Sequence, residues 1–181
     1  GAIGFDHIET VRELMMSSEG SGGLDLPGLR IERSFGYVLI EAPAPHPTNF
    51  NVPLLIPGRT ELPGSPTSHV ETRVFRASEN EERYNTKNWA YVDWDRVPKP
   101  LCLRNWRPGD RYRPQGRASE KKLKHLFQED RIHSWRRASW PVVASSRGGG
   151  ENDIIIWARS FGAAANFAAE STSRNLLSIQ E

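Results

Sequence analysis

The amino-acid sequence predicts an α+β fold, and three features of the chain support this. Stretches rich in alternating, β-branched and aromatic residues recur at 69–78, 89–106, 140–145 and 153–161 and indicate strands. Helical spacing of apolar residues is confined to one stretch near the N-terminus and one after residue 118. The strands are not separated by regular crossover helices, so a doubly wound parallel sheet is not expected.

The first helix is expected from about residue 6 to residue 17. Apolar residues recur there at helical spacing, and Asp6 followed by Glu9 matches a capping box. Small polar residues and glycines then favour a turn, and two short strands are expected around Pro27–Gly28.

A proline-rich segment between residues 43 and 66 contains seven of the 13 prolines. Proline disrupts helices and is unsuited to central strands, so we interpret this segment as a linker and domain boundary. The boundary is placed between residues 45 and 46.

The composition is that of a soluble globular protein, with 37% apolar and 25% charged residues in 181 positions. No apolar run approaches the ~18 residues of a membrane helix, and no signal-peptide pattern is present, so a cytoplasmic protein without membrane contact is expected. The single cysteine, Cys102, lies between two leucines and is predicted to be a buried strand residue. The five histidines have no ligand-like spacing, so no metal site is predicted.

Positive charge is concentrated between Arg104 and Arg147. This segment has 12 Lys and Arg against 4 Asp and Glu, whereas the rest of the chain has 12 against 18. Such a segment is either a solvated face or the binding surface of a polyanion, for which nucleic acid is the commonest cytoplasmic candidate. Charge alone does not decide between them.

Within the basic segment, Pro108–Gly109 suits a tight turn, and an extended run follows. Arg111 and Arg113 are then expected on one side of the strand and Tyr112 on the other.

A helix is expected after Ser119, which would cap it, with Leu123, Leu126 and Phe127 as its apolar stripe. Lys121 and Lys124 would share another face with His125. Lysines in a first turn oppose the helix dipole at about 0.3–1 kcal/mol each, and an anion docked at that end would offset this cost.

Arg136 and Arg137 are flanked by Trp135 and Trp140. The tryptophans either offer stacking surfaces for bases or belong to the core under the arginines; the second interpretation is the simpler one.

Two features of the sequence resemble catalytic patterns. Ser21-Gly22-Gly23-Leu24-Asp25 resembles the start of an ATP-pyrophosphatase loop, but such a loop joins a buried strand to a helix, and here a helix end precedes it and Pro27–Gly28 follows. The favoured interpretation is a glycine stop and turn between a helix and a strand. Asp110 and His125 could act as an acid/base pair in an independent enzyme, but a carboxylate in Pro-Gly-Asp-Arg more often caps the turn or pairs with an arginine.

Three stretches together resemble the C-terminal domain of bacterial tRNA(Ile)-lysidine synthetases: 103–116 with its Gly-Asp-Arg, the Lys-Lys-Leu-Lys block with the arginines after it at 121–143, and the apolar strand at 153–162. Residues 7–40 are similar to the end of the central domain of these enzymes. His133 departs from the pattern, since relatives usually have proline there, and we expect a less rigid loop before Arg136.

The resemblance implies an α+β domain with a β-sandwich, shared with a domain of the phenylalanyl-tRNA synthetase β subunit. It implies residues 1–45 as the end of the central domain and 46–181 as a tRNA-binding domain that holds the acceptor stem of an isoleucine tRNA. The enzymes are ATP-dependent ligases that convert the wobble cytidine to lysidine, and ATP and lysine are bound by an N-terminal catalytic domain without a counterpart here. No cofactor and no catalytic residue is therefore expected in this chain, which alone would be inactive. By position, the implied RNA contacts are Arg104, Arg107, Arg111, Arg113, Lys121, Lys122, Lys124, Arg136 and Arg137.

The main alternative is a protein-interaction module whose basic face docks on an acidic surface of the catalytic domain or of another partner. A homodimer also stays open at this point.

Overall fold

The computed structural model describes residues 3–17, 20–43, 49–79, 89–145 and 153–181. Strands far outnumber helices among these residues, which confirms the predicted α+β class. In chain order the elements are α1 (Phe5–Met16), β1 (Ser21–Leu26), β2 (Leu29–Ser34), β3 (Tyr37–Glu41), β4 (Asn51–Pro53), β5 (Gly58–Leu62), β6 (Ser65–Arg76), β7 (Ala90–Asp93), β8 (Leu101–Asn105), β9 (Arg111–Tyr112), β10 (Lys121–Lys122), α2 (Leu123–Glu129), α3 (Ser134–Arg137), β11 (Pro141–Ser145), β12 (Ile154–Ala158), β13 (Gly162–Ala163) and β14 (Asn175–Gln180).

The chain divides into two compact units. The first, here called the N-terminal unit, comprises residues 1–47 and 127–138, and the second, the C-terminal unit, comprises residues 48–126 and 139–181. The sequence did not predict that residues 127–138 group with the first unit. The assignment of residues 1–45 and 46–181 to a central and a tRNA-binding domain stays a prediction.

In the N-terminal unit, β1, β2 and β3 form an antiparallel sheet in that order. Leu26 pairs with Leu29 across the Pro27–Gly28 turn, where Gly28 has a φ of +78° that favours glycine. The two strands predicted around this turn are confirmed, and β3 adds a third.

The glycine-rich stretch that resembled an ATP loop is a strand. Ser21 to Asp25 lie within β1 and pair residue by residue with β2, so their backbone groups do not form a loop at a helix N-terminus. The interpretation as a turn is wrong for these residues as well. A Cβ on Gly22 would lie 2.7 Å from Leu14 Cδ1 of α1, so a larger residue there would require the Leu14 side chain to move.

Helix α1 confirms the first predicted helix, but its start differs. The helix begins at Phe5, and the Gly4 N–H donates to His7 Nδ1 at 3.0 Å. The predicted pairing of Asp6 with Glu9 as a capping box is therefore wrong, because the N-cap is Gly4, two residues before Asp6. Glu9 pairs with Arg12 on the exposed side instead.

The C-terminal unit is built from two antiparallel sheets that share one core. Their strand orders are β13-β12-β11-β8-β4 and β5-β6-β14-β7. Leu103, Val143 and Ile156 of the first sheet belong to the same buried cluster as Val92 and Leu177 of the second. Two faces packed in this way form the expected β-sandwich.

The proline-rich segment contains strands. Residues 49–66 contribute β4, β5 and the first two residues of β6, and residues 44–48 lie outside the described part. β4 and β5 lie at sheet edges, where the N–H that proline lacks need not break a hydrogen bond to a second neighbouring strand. β6 has a strand on each side, but Pro66 lies at its start, before the residues that pair with β14. The interpretation of residues 43–66 as a linker and domain boundary stays a prediction.

Cys102 is buried in β8, as predicted, and its thiol donates to the Ala144 carbonyl at 3.4 Å. Burial, followed by the charge of Asp153, raises the pKa of the thiol. The group therefore stays protonated and unreactive at neutral pH.

Arg104 is the largest fully buried side chain of the described residues and lies in the middle of β8, between β11 and β4. Two of its nitrogens donate to the two carboxylate oxygens of Asp110, each at 2.9 Å, and Nε donates to Asp153 Oδ2 at 2.9 Å. A fourth bond reaches the Asn105 carbonyl at 3.0 Å. We call Arg104, Asp110 and Asp153 the buried ionic cluster.

Arg107, which lies nearer the surface, balances the charge of the buried ionic cluster. Arg107 Nη1 approaches Asp153 Oδ2 at 3.3 Å, which gives two cations to two carboxylates. Burial alone would lower the pKa of Arg104, but the hydrogen bonds and charges of Asp110 and Asp153 outweigh it and raise that pKa. Arg104 is therefore charged at every pH at which the protein folds.

Replacing Arg104 with alanine is predicted to lower the free energy of unfolding by about 3–5 kcal/mol, because two carboxylates would be left buried without their cation. Urea denaturation followed by circular dichroism measures this. Arg59→Ala is the control: its ion pair with Glu61 is exposed and is worth less than about 1 kcal/mol. Equal losses in the two variants would contradict a structural role for Arg104.

Candidate nucleic-acid interface

A short two-stranded ribbon formed by β9 and β10 displays the basic segment. Arg111 pairs with Lys122, and Tyr112 pairs with Lys121. Residues directly opposite in an antiparallel pair point to the same side, and alternate residues along a strand do so too. Arg111, Arg113 and Lys122 are exposed, whereas Tyr112 is only 4% exposed. The predicted separation of the two arginines from Tyr112 is thereby confirmed.

We call Arg111, Arg113 and Lys122 the ribbon face. A turn fixes its position: the Asp110 N–H donates to the Arg107 carbonyl at 3.0 Å, and Gly109 adopts a φ of +100°. Asp110 Oδ2 also accepts from the Arg107 N–H at 2.7 Å. The residue that starts β9 therefore follows directly on a member of the buried ionic cluster.

The far strand of the ribbon is tied to the same point, since the Leu123 N–H donates to the Asp110 carbonyl at 2.9 Å. Both strands thus leave the core beside Asp110, and the ribbon face is held without relying on its own few hydrogen bonds.

The predicted helix starts later than expected. Lys121 and Lys122 belong to β10, and α2 begins at Leu123, so Ser119 does not cap it. The argument that these two lysines oppose a helix dipole is wrong, because pairing with β9 keeps them extended. The apolar stripe is confirmed: Leu123, Leu126 and Phe127 are fully buried.

Charge on the ribbon face is only partly compensated. Arg111 Nε pairs with Glu120 Oε1 at 2.8 Å, with both side chains half exposed, and Arg113 Nη2 donates to Asn166 Oδ1 at 3.1 Å. Lys122 and Lys124 are exposed and make no ion pair with any residue in the described ranges. Arg111 and Lys122 repel each other across the ribbon, and an anion bound between them would relieve this.

The remaining residues of the basic segment differ in accessibility. Arg104 is fully buried in the ionic cluster, which corrects its inclusion among RNA contacts. Arg107 is partly exposed although paired with Asp153, and Lys121 is half-buried. Arg117, in the segment before β10, is a further exposed cation; it lies outside the motif positions from which the RNA contacts are predicted.

In the N-terminal unit, Arg136 is exposed, whereas Arg137 is only partly exposed. Arg137 Nε and Nη2 both donate to the Ile132 carbonyl, at 2.9 and 2.6 Å, and its guanidinium lies over the rings of Phe35 and Phe127. Burial lowers the pKa of Arg137. This arginine holds the loop before α3.

His133 adopts the backbone conformation that a proline would impose, with a φ of −62°. Its ring stacks on Trp135 with centroids 4.5 Å apart and meets the edge of Tyr37 at 5.1 Å. The expected loosening of this loop finds no support in its geometry. Trp140, in contrast, is a core residue of the C-terminal unit, as the simpler interpretation held.

The acid/base pair of Asp110 and His125 is not supported. Both carboxylate oxygens of Asp110 accept hydrogen bonds from Arg104, while His125 is exposed on α2. A carboxylate held in this way serves the fold and the turn, which was the preferred sequence interpretation.

Within the ranges that the structure covers, no group of three or more His, Cys, Asp or Glu side chains is arranged to hold a metal ion. No helix in those ranges is long and apolar enough to cross a membrane.

Comparison with known proteins gives consistent matches. Residues 101–179 match the family model described as "TilS substrate C-terminal domain". A tRNA(Ile)-lysidine synthase of Solibacter usitatus is 36% identical over 99% of this chain and 40% of its own length, and one of Oceanobacillus iheyensis is 30% identical over 86% of this chain and 32% of its own length. The chain thus spans two fifths or less of these relatives.

A solved structure supports the same assignment. The "Crystal structure of TILS C-terminal domain" covers 74% of this chain and 97% of its own, at 27% identity and a TM-score of 0.58. Family model, full-chain relatives and fold agree, and the chain therefore belongs to the tRNA(Ile)-lysidine synthase family and corresponds to its C-terminal domain region.

Proposed function

We propose that this chain is the tRNA-binding part of an ATP-dependent ligase that converts the wobble cytidine of an isoleucine tRNA to lysidine, and that its ribbon face grips the acceptor stem. The observation on which this rests most is the position of three exposed cations on one side of a ribbon anchored at Asp110. Family membership supports the substrate class.

A double-stranded stem is the form of RNA that such a face suits best. A-form RNA presents phosphates and 2′-hydroxyls across a wide, shallow groove, and proteins hold it mainly by backbone and shape. Arg111 and Arg113 supply forked donors, and Lys122 and Lys124 supply mobile point charges. Arg107 and Lys121 would contribute from the margin of this face. Arg136, in the N-terminal unit, is proposed as a separate RNA contact.

The chemistry would be performed elsewhere in the enzyme. ATP and lysine would bind a catalytic domain outside this chain, and the chain alone would be inactive. Its function would be to position tRNA, which affects turnover through substrate orientation.

Exposed apolar side chains of the N-terminal unit favour a second function for that unit. Phe5 and Met16 of α1 are 78% and 76% exposed, and Tyr37 and Ile40 of β3 are 66% and 55% exposed. Apolar surface of this kind suits contact with another domain of the enzyme or with a second copy. This apolar contact is distinct from docking of the basic face on an acidic protein surface, which stays the alternative for the ribbon face.

Removing three charges from the candidate interface (Arg111→Gln, Lys122→Gln and Lys124→Gln together) is predicted to weaken binding of an isoleucine tRNA at least about tenfold, because each lost cation leaves a phosphate without its counterion. Filter binding measures it. The control is Arg12→Gln, Arg59→Gln and Lys99→Gln, which removes the same charge from exposed positions elsewhere. Equal weakening by both variants would mean that only net charge matters.

The salt dependence should report how many phosphates are contacted. If Arg111, Arg113, Lys122 and Lys124 each neutralise one, log K should fall with log salt at a slope of roughly −2.8 to −3.6, taking the single-strand and duplex coefficients as limits. The triple variant should reduce the slope by about one unit per cation removed. A slope near zero would contradict phosphate contact.

Competition separates RNA binding from docking on an acidic protein surface. With the tRNA complex formed, an unrelated RNA duplex in excess is expected to displace the chain, since backbone recognition has little sequence preference. A complex of this chain with the catalytic part of the enzyme that resists the same competitor would favour the protein-interaction alternative.

A further inference from the structure

The C-terminal unit contains a second feature suited to RNA, a cleft of about 640 Å³. Its walls include the aromatic residues Trp89, Tyr91, Trp157 and Phe161, and its polar groups include Gln115 and Arg159. We call it the aromatic cleft. No residue of the ribbon face lines it.

The walls of the aromatic cleft are fixed by backbone hydrogen bonds. The Gln115 N–H donates to the Ala163 carbonyl at 2.9 Å, and the Phe161 N–H donates to the Ala158 carbonyl at 3.1 Å. Gly162 has a φ of +79°, as the tight turn between β12 and β13 requires. The cleft is thus largely formed before any ligand binds, which lowers the entropic cost of binding.

The side chains of the cleft fit a nucleobase better than an aliphatic group. Trp89 already receives the Arg73 guanidinium at 5.0 Å from its ring centroid, and Tyr91 packs edge-on against Phe75. Arg159 pairs with Glu181 and lies over Trp140. Aromatic rings and guanidinium groups stack on the flat face of a base, and a glutamine amide can meet the polar edge of any base.

The cleft is continuous with the ribbon face along the chain. Arg113 belongs to that face and Gln115 lines the cleft, so their Cα atoms are at most about 7 Å apart. Two further bonds hold this connection in place: the Ala165 N–H donates to the Arg113 carbonyl at 2.7 Å, and Pro114 forms a bridge with Ala164. An RNA strand that contacts Arg113 through a phosphate would therefore bring a neighbouring nucleotide to the cleft.

We propose that the aromatic cleft binds an unpaired base of an RNA whose double-stranded part lies on the ribbon face. This inference rests on the proposed function and adds a recognition element to it: a duplex end with a single-stranded extension. A base outside a helix exposes both of its faces for stacking, whereas a paired base inside a stem does not.

The test compares a blunt RNA hairpin with the same hairpin extended by four unpaired nucleotides, at the 3′ end in one substrate and at the 5′ end in another. Stacking of one base is worth about 1–3 kcal/mol, so one extension should tighten binding by roughly 5- to 150-fold. Trp89→Ala should abolish this gain and leave affinity for the blunt hairpin unchanged. Tyr37→Ala, an exposed aromatic of the N-terminal unit, should retain the gain.

Unmodified protein provides a readout that does not depend on the folding of a variant. Titration of this protein with a short single-stranded oligoribonucleotide should quench its tryptophan fluorescence. In a separate measurement, the conservative variant Trp89→Phe should keep most of the affinity gain while losing part of the quenching.

The affinity for the blunt hairpin tests the ribbon face, and the ratio between extended and blunt hairpins tests the cleft. A ratio of one for both extensions, with the blunt hairpin bound, would overturn the cleft proposal and leave the proposed function standing. Quenching by the single strand without binding of the blunt hairpin would retain the cleft and contradict the ribbon face. The absence of both signals would overturn both proposals. A protein segment would then be the better occupant of the cleft.

Discussion

The guanidinium of Arg104 holds together parts of the C-terminal unit that are distant in sequence. It lies in β8, which has a neighbouring strand on each side in the five-stranded sheet. It binds Asp110, in the turn before the ribbon, and Asp153, the residue directly before β12. Replacing a buried ion pair with apolar residues is often neutral or stabilising, so stability alone does not explain why charges occupy this position. The geometry offers another reason, because an arginine fixes the orientation of two carboxylates at once.

Asp110 connects this buried network to the surface. Its carboxylate binds Arg104 and the Arg107 N–H, and its carbonyl accepts from Leu123, so both strands of the ribbon emerge at a fixed point. The exposed cations of a two-residue strand pair would otherwise have little to keep them in register. Arg104 in the core thereby positions the exposed arginines for which we propose RNA contact. A motif that looks uniformly basic in the sequence thus contains one structural arginine beside the candidate contacts.

The sequence predicted much of this fold because local patterns agree with it. The alternation around Tyr112, the Pro-Gly turn and the stripe on α2 all follow from spacing. It could not predict that Lys121 and Lys122 would be extended, since helix propensity favours lysine and only the pairing with β9 overrides it. It also could not separate Arg104 from Arg111, because burial depends on strands β11 and β4, which lie far away in the chain. Assigning residues 21–25 to a glycine turn failed for a similar reason, because their pairing with β2 keeps them extended.

The proposal that the ribbon face holds an RNA stem is tested most directly by lysine footprinting. Acetylation of the chain, free and bound to an isoleucine tRNA, would be compared by mass spectrometry at Lys122, Lys124 and Lys99. Lys99 is exposed, lies over the Trp94 ring and is not part of the ribbon face, so it serves as the internal control. Bound tRNA is expected to protect Lys122 and Lys124 and to leave Lys99 as reactive as before. Unchanged labelling of Lys122 and Lys124 in the saturated complex would contradict the ribbon face as the binding surface.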